Sequence, residues 1–293
     1  MKKLFGILII CTLSNIAFAQ EIIPFELGDD NRIYLKGLIN HSDTLNLVFD
    51  LGANITVINK TKMEAKNVNI KFDTLVLNGG GNGASEESKS FNNIVTIGSQ
   101  VYKGKDVLGI SYPESEKLDG LIGWNFFEDK VVEIDFESKE LLISDNLPEY
   151  LDRFRKSKLK FISGLPYIKM ILYNGKKKVK IWTMLDTGYN STLKVYYNTV
   201  IGNKLANKYQ VIGESTSFGT DGTVVKSDYI LTPRIDIGGF EIYNMPGDLA
   251  KTKVDSNIPA LFGGNLLKRF HIILDSKNKE VYLMPNRNIN SAF

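Results

Sequence analysis

Apolar and polar residues alternate along this chain in short runs, and clusters of Gly, Asn, Asp and Ser separate the runs. Alternation of period two predicts strands, and the polar clusters between them predict turns. The run Arg32-Ile33-Tyr34-Leu35-Lys36-Gly37-Leu38-Ile39 leads through His41-Ser42-Asp43 into the apolar stretch 45–49. The run 167–172 leads through Asn174-Gly175 into 179–185 in the same way. Both read as β-hairpins, Asn-Gly being a favoured hairpin turn. Most other elements are also short strands between Gly or Asn turns, so the fold class is all-β with a few short helices.

The two hairpins open two copies of one longer pattern. Each ends in an aspartate, Asp50 or Asp186, and Asp50-x-Gly52-x-Asn54-x-Thr56 matches Asp186-x-Gly188-x-Asn190-x-Thr192. A Gly-rich stretch follows in each copy, Asn78-Gly79-Gly80-Gly81-Asn82-Gly83 in the first and Phe218-Gly219-Thr220-Asp221-Gly222 in the second. A strand then ends at Ile97-Gly98 or at Ile237-Gly238-Gly239. Each copy closes on an ungapped block, Leu121-Ile122-Gly123-Trp124-Asn125-Phe126-Phe127 or Leu261-Phe262-Gly263-Gly264-Asn265-Leu266-Leu267. The aspartates are 136 positions apart and Gly123 and Gly263 are 140 apart, so the similarity runs the length of the chain. This spacing predicts an N-terminal lobe over 20–146 and a C-terminal lobe over 161–293. The charged segment 147–160 connects them, with a helical turn expected around 149–155.

Composition narrows the chemistry. Residues 1–19 read as an export signal, with Lys2 and Lys3, an apolar core at 4–13 and Ala17-Phe18-Ala19 before the cleavage point. The expected location is therefore outside the cytoplasm, periplasmic or secreted, with no membrane attachment after cleavage. The single cysteine, Cys11, lies inside that leader. The chain has 36 Lys and Arg against 33 Asp and Glu, and without Lys2 and Lys3 the balance is 34 against 33. Such neutrality gives no support for nucleic-acid binding. His41 and His271 are the only histidines, which leaves little material for a Ser-His-Asp or Cys-His mechanism. Two carboxylates at the ends of buried strands remain, the set needed to place an acid and a base around one water.

With Leu185-Asp186-Thr187-Gly188 and Leu261-Phe262-Gly263, and with Phe49-Asp50-Leu51-Gly52 and Leu121-Ile122-Gly123, the chain resembles the retropepsin-like aspartic proteases of the pepsin superfamily. The resemblance spans nearly all of residues 22–285. It implies two duplicated β-barrel lobes in one chain and a catalytic dyad of Asp50 and Asp186. It implies Gly52 and Gly188 beside the dyad, and substrate-covering flaps whose tips include Gly80, Gly81, Gly219 and Gly222. A peptide or protein substrate, a monomeric chain, no metal and no organic cofactor follow from the same resemblance. Thr187 is expected to hydrogen-bond across to the other lobe's loop. Which aspartate is acid and which is base stays open, since the pair titrates as a unit.

Two positions depart from the pattern. Leu51 replaces a hydroxyl residue, and Tyr189 replaces the small residue that Ala53 supplies in the first copy. A catalytically silent peptide-binding protein of the same fold is therefore the alternative; an unrelated β-rich adhesion module would need the whole-chain repeat to be incidental. Asp135 and Asp275 read as turn caps, Trp124 and Trp182 as packing residues, and Asn54 and Asn190 as structural hydrogen-bonders. His41 and His271 have no partner that the sequence identifies.

Overall fold

A computed structural model describes residues 20–79, 83–218 and 223–293. The leader and Gly80, Gly81, Gly219 and Gly222 lie outside the described residues. The first half forms strands β1 (Glu21–Leu27), β2 (Ile33–Ile39), β3 (Leu45–Asp50), β4 (Thr56–Asn59) and β5 (Thr74–Gly79). It continues with β6 (Ala84–Ile97), β7 (Gln100–Ile110), β8 (Gly120–Gly123), β9 (Val131–Asp135) and β10 (Glu140–Ser144). The second half repeats the series as β11 (Arg155–Ile162), β12 (Leu165–Asn174), β13 (Lys177–Asp186), β14 (Leu193–Val195) and β15 (Gln210–Phe218). It ends with β16 (Val224–Ile237), β17 (Phe240–Ala250), β18 (Ala260–Gly263), β19 (Phe270–Asp275) and β20 (Glu280–Pro285). The helices are short: α1 (Tyr197–Gly202) follows β14 and α2 (Gly264–Leu267) follows β18.

The duplication extends to the pairing of the strands. β2 pairs with β3 and β6 as β12 pairs with β13 and β16. β4 lies parallel to β7 and antiparallel to β8, and β14 has the same relation to β17 and β18. β3 runs parallel to β8 and β13 runs parallel to β18, which sets Asp50 opposite Gly123 and Asp186 opposite Gly263. A Cβ on Gly123 would lie 2.6 Å from the Ala53 carbonyl oxygen, and one on Gly263 would lie 2.5 Å from that of Tyr189. Glycine at these two positions lets the closing strand pass directly beneath each Asp loop.

One antiparallel sheet in the order β1-β10-β9-β19-β20-β11 joins the halves. At its centre Glu133 faces Ile273, flanked by Val132 with Leu274 and Ile134 with Ile272. Glu133 and Ile273 hold equivalent places in the two copies, so the pseudo-twofold axis passes through this pair. Alternation along the strands sends Val132, Ile134, Ile272 and Leu274 into the large core cluster that runs through both lobes. Val131 and Ile273 face the other way and are covered by Leu147, Leu151 and Phe154.

The connector is thus a lid on the bridging sheet. Its helical turn is a 3-10 turn at Leu151–Arg153, and residues 155–160 are already part of β11. On the same face Tyr150 Oη donates to Glu133 at 2.7 Å, and His271 Nε2 lies 2.6 Å from Glu133 Oε1. His271 therefore has a partner in the opposite half of the chain, brought to it by the twofold and invisible in sequence.

Truncating Ile273 to Ala removes a side chain at the joint between the lobes. The expected loss of unfolding free energy is about 2–5 kcal/mol, read by urea denaturation. A loss under about 1 kcal/mol, less than a buried Leu or Ile truncation ordinarily gives, would show that the joint is not packed as described.

Candidate active site

β3 and β13 each deliver one aspartate to the junction of the lobes, and there the two loops interlock. Gly52 N–H donates to Asp50 Oδ1 at 2.7 Å, and Tyr189 N–H donates to Asp186 Oδ1 at 2.9 Å. Gly188 N–H is shared, lying 3.1 Å from Asp186 Oδ1 and 3.3 Å from Asp50 Oδ1. The carboxyl groups are themselves within hydrogen-bonding reach of each other. The glycines owe their place to the opposing lobe rather than to an unusual φ, since neither has a positive one. A Cβ on Gly52 would sit 2.7 Å from Asp186 Cγ, and one on Gly188 would sit 2.6 Å from Asp50 Cγ. Any side chain at either position would push the carboxylates apart.

The cross-lobe lock is one-sided. Thr187 Oγ1 donates to the Phe49 carbonyl at 2.7 Å and accepts from Leu51 N–H at 3.0 Å. Leu51 has no hydroxyl to return the pair of bonds, and its side chain is fully buried in the main core instead. Further cross-lobe bonds fall on the same C-terminal loop. Arg32 Nε donates to the Gly188 carbonyl at 2.9 Å, and Asn31 Nδ2 donates to the Asn190 carbonyl at 3.0 Å. Arg32 is held in turn by Glu116 at 2.9 Å and by Asp30 at 3.5 Å. The N-terminal loop has fewer such bonds: its Asn54 Nδ2 donates to the Ser163 carbonyl at 3.3 Å. Tyr34 pairs with Val48 as Tyr167 pairs with Met184, so the mirror position of Arg32 is Leu165. Sequence inspection missed Arg32; the available signal was a charged residue opening one hairpin where its repeat has an apolar one.

Electrostatics also separate the two aspartates. Burial raises both carboxyls above the ordinary carboxylate range, and the backbone donors oppose it. Asp186 is raised well above that range because the charge of Asp50 adds to burial, whereas Asp50 also feels the Arg32 guanidinium, which favours its ionised form. A pair so arranged shares one proton and can both polarise and deprotonate a water lying against it.

Tyr189, the second departure, turns away from the dyad. Its hydroxyl donates to Asp248 Oδ2 at 2.6 Å. Trp124, Asp135 and Asp275, read as structural, have structural surroundings. Trp124 is buried and stacks on Phe161, and Asp135 and Asp275 accept backbone N–H bonds from the turns that follow them. The hairpins β5–β6 and β15–β16 carry the Gly-rich stretches, with Leu75, Leu77, Val211, Ile212 and Val224 exposed on their arms.

No protein-family model matches the chain, and neither does any curated protein. Among solved structures, the chain is similar to the crystal structure of the aspartic proteinase from Irpex lacteus, at 15% identity with a TM-score of 0.63. The match covers 93% of this chain and 99% of that one. The fold is therefore the two-lobed, pepsin-like aspartic proteinase fold.

The raised carboxyl of Asp186 has a consequence for stability. The folded state retains a proton that the unfolded chain gives up near the ordinary Asp pKa of about 3.9. This contribution is complete below that pH and declines as the pH rises towards the folded value. Asp186→Asn keeps the Oδ1 acceptor and removes the titration. The variant is expected to melt at a higher temperature than wild type at pH 7, with the gap narrowing towards pH 3. An equal gap at both pH values in calorimetry would contradict the assignment.

Proposed function

We propose that this chain is an exported, single-chain aspartic endopeptidase, similar to the retropepsin-like enzymes, with Asp50 and Asp186 as its catalytic dyad. One observation carries the reading: two aspartates from duplicated loops share a backbone donor at the junction of the lobes, with their carboxyls in contact. The ionised member of the pair takes a proton from the water as the water oxygen attacks the peptide carbonyl carbon, and the protonated member gives its proton to the carbonyl oxygen. In the collapse of the tetrahedral intermediate, the first returns its proton to the leaving nitrogen and the second recovers one from the intermediate's hydroxyl. The C–N bond breaks and the dyad is back in its starting state. Acid-base chemistry of this kind needs no metal or organic cofactor. Gly52 and Gly188 serve the site by admitting the opposing carboxylates, and the peptide is expected to lie beneath the hairpin tips.

The second reading is a peptide-binding protein without hydrolytic activity, and the absent hydroxyl at Leu51 is what favours it. Incubation of residues 20–293 with a peptide library across about pH 3–7, the range over which a coupled Asp pair changes charge, separates the two. Cleavage is expected, with a loss of roughly 10²–10⁴-fold or more in Asp50→Asn and Asp186→Asn. The alkaline limb of the profile reports loss of the shared proton and should lie above the ordinary carboxylate range near 4. Peptides that bind and are never cut at any pH would establish the second reading.

Leu51→Thr tests the lock directly. It restores a hydroxyl at the joint and removes buried apolar volume, so kcat should rise while stability falls by about 1–3 kcal/mol. An unchanged kcat in a folded variant would mean that the one-sided lock already holds the dyad in place.

A further inference from the structure

The two lobes differ at one set of equivalent positions near the aspartates. In the N-terminal lobe the positions are Ala53, Val57, Val76 and Leu108, an apolar set joined by the parallel pairing of Val57 with Leu108. The strand registers place Tyr189, Lys194, Ser215 and Asp248 at the same four places in the C-terminal lobe, with Lys194 paired to Asp248. All four positions have changed from apolar to polar together.

Three of them are joined by hydrogen bonds, and Lys194 is the strand partner of Asp248. Tyr189 Oη donates to one oxygen of Asp248, and Ser215 Oγ donates to the other. Lys194 Nζ donates to Ser217 Oγ at 2.7 Å and lies 5.0 Å from the Tyr196 ring centre. Lys194 is 2% exposed and Asp248 is 4% exposed. Burial pushes the lysine ammonium down to about 8, and the charges of Asp248 and Asp186 oppose that shift. Tyr189, Ser215 and Ser217 are partly exposed and form a rim of hydroxyls over the buried charges. The cluster lies near Asp186, whose charge acts on Lys194 and on Tyr196.

We propose that this cluster is a hydrogen-bonding side-chain pocket that sets selectivity on the Asp186 side of the cleft, taking an uncharged polar side chain such as Asn, Gln, Ser or Thr. The proposal rests on the peptide-hydrolase reading. Tyr189 has spent its proton on Asp248, and its oxygen, which has the Ser191 hydroxyl within hydrogen-bonding reach, has a further lone pair with which to accept from a guest. Ser217 accepts from Lys194 and keeps its own proton to donate. A guest with both a donor and an acceptor satisfies this rim, and an aliphatic guest leaves it unpaired. A charged guest finds no counter-charge, since Lys194 and Asp248 offset each other. The mirror set in the N-terminal lobe accepts an apolar residue, so cleavage is directed to bonds with an apolar residue on one side and a neutral polar one on the other.

The test is cleavage of a short-peptide library with products mapped by mass spectrometry, beside binding of the same peptides to Asp186→Asn. Wild type should favour Asn, Gln, Ser or Thr over Leu at one position flanking the cut by roughly tenfold or more, as a site built to hydrogen-bond its guest does. Tyr189→Phe and Ser215→Val, each checked for folding by circular dichroism, should bring that ratio towards unity. The double variant Lys194→Val/Asp248→Leu installs the mirror residues and, where folded, should reverse it. Cleavage with no such preference, or a ratio unmoved in folded Tyr189→Phe and Ser215→Val, overturns the pocket and leaves the hydrolase reading intact. No cleavage by wild type, with the same preference seen in binding to Asp186→Asn, overturns the hydrolase reading and supports the pocket. Binding without preference overturns the pocket as well.

Discussion

Each of the two carboxylates at the centre of this protein lies against the glycine of the opposite loop, and much of the fold serves to hold that contact. Like charges in a buried site repel, and the repulsion is relieved by keeping one proton between the pair. The backbone donors at Gly52, Gly188 and Tyr189 offset part of the burial of the remaining charge. None of this survives a shift of the lobes, because Gly188 N–H reaches Asp50 only across the joint. The bridging sheet and the core cluster that spans both halves supply the rigidity, with the axis pair Glu133–Ile273 at the middle of it.

The joint is symmetric in backbone and asymmetric in side chains. Thr187 bonds the N-terminal loop through its hydroxyl, and Leu51 replies with apolar packing into the core. Arg32 bonds the C-terminal loop and Leu165, its mirror, carries no charge with which to do the same. Losing one hydroxyl bond is worth on the order of 1–3 kcal/mol where its partner is buried. A charge-assisted hydrogen bond such as the one from Arg32 is of comparable size, so the loop that gains Arg32 recovers what the missing hydroxyl forfeits.

Much of this architecture was legible in the chain. Two Asp-x-Gly turns, two apolar-Gly blocks and a nearly constant spacing placed the aspartates and the strands beneath them, because backbone pairing follows local alternation and turn chemistry. What was not legible depends on the twofold itself. His271 and Glu133 are 138 positions apart, and nothing local marks them as partners. The glycines at 52 and 188 were expected beside the dyad, and only the folded structure shows that the opposing carboxylate is what excludes a side chain there. Tyr189 stood out as a departure, but its reach to Asp248 required the packing of β14 against β17.

Duplication within one chain explains how a departure can stand at one position and be missing from its mirror. Two identical subunits would be bound to the same residue at both mirror positions, so any charge placed beside one aspartate would also sit beside the other. A single chain is free of that constraint. Arg32 lies near Asp50, where its guanidinium favours the ionised carboxyl, and its mirror position, Leu165, carries no charge. The polar cluster of Tyr189, Lys194 and Asp248 lies on the other side, where its mirror is apolar. Backbone symmetry fixes the distance between the carboxyls, and the broken symmetry of the side chains gives each of them a different environment.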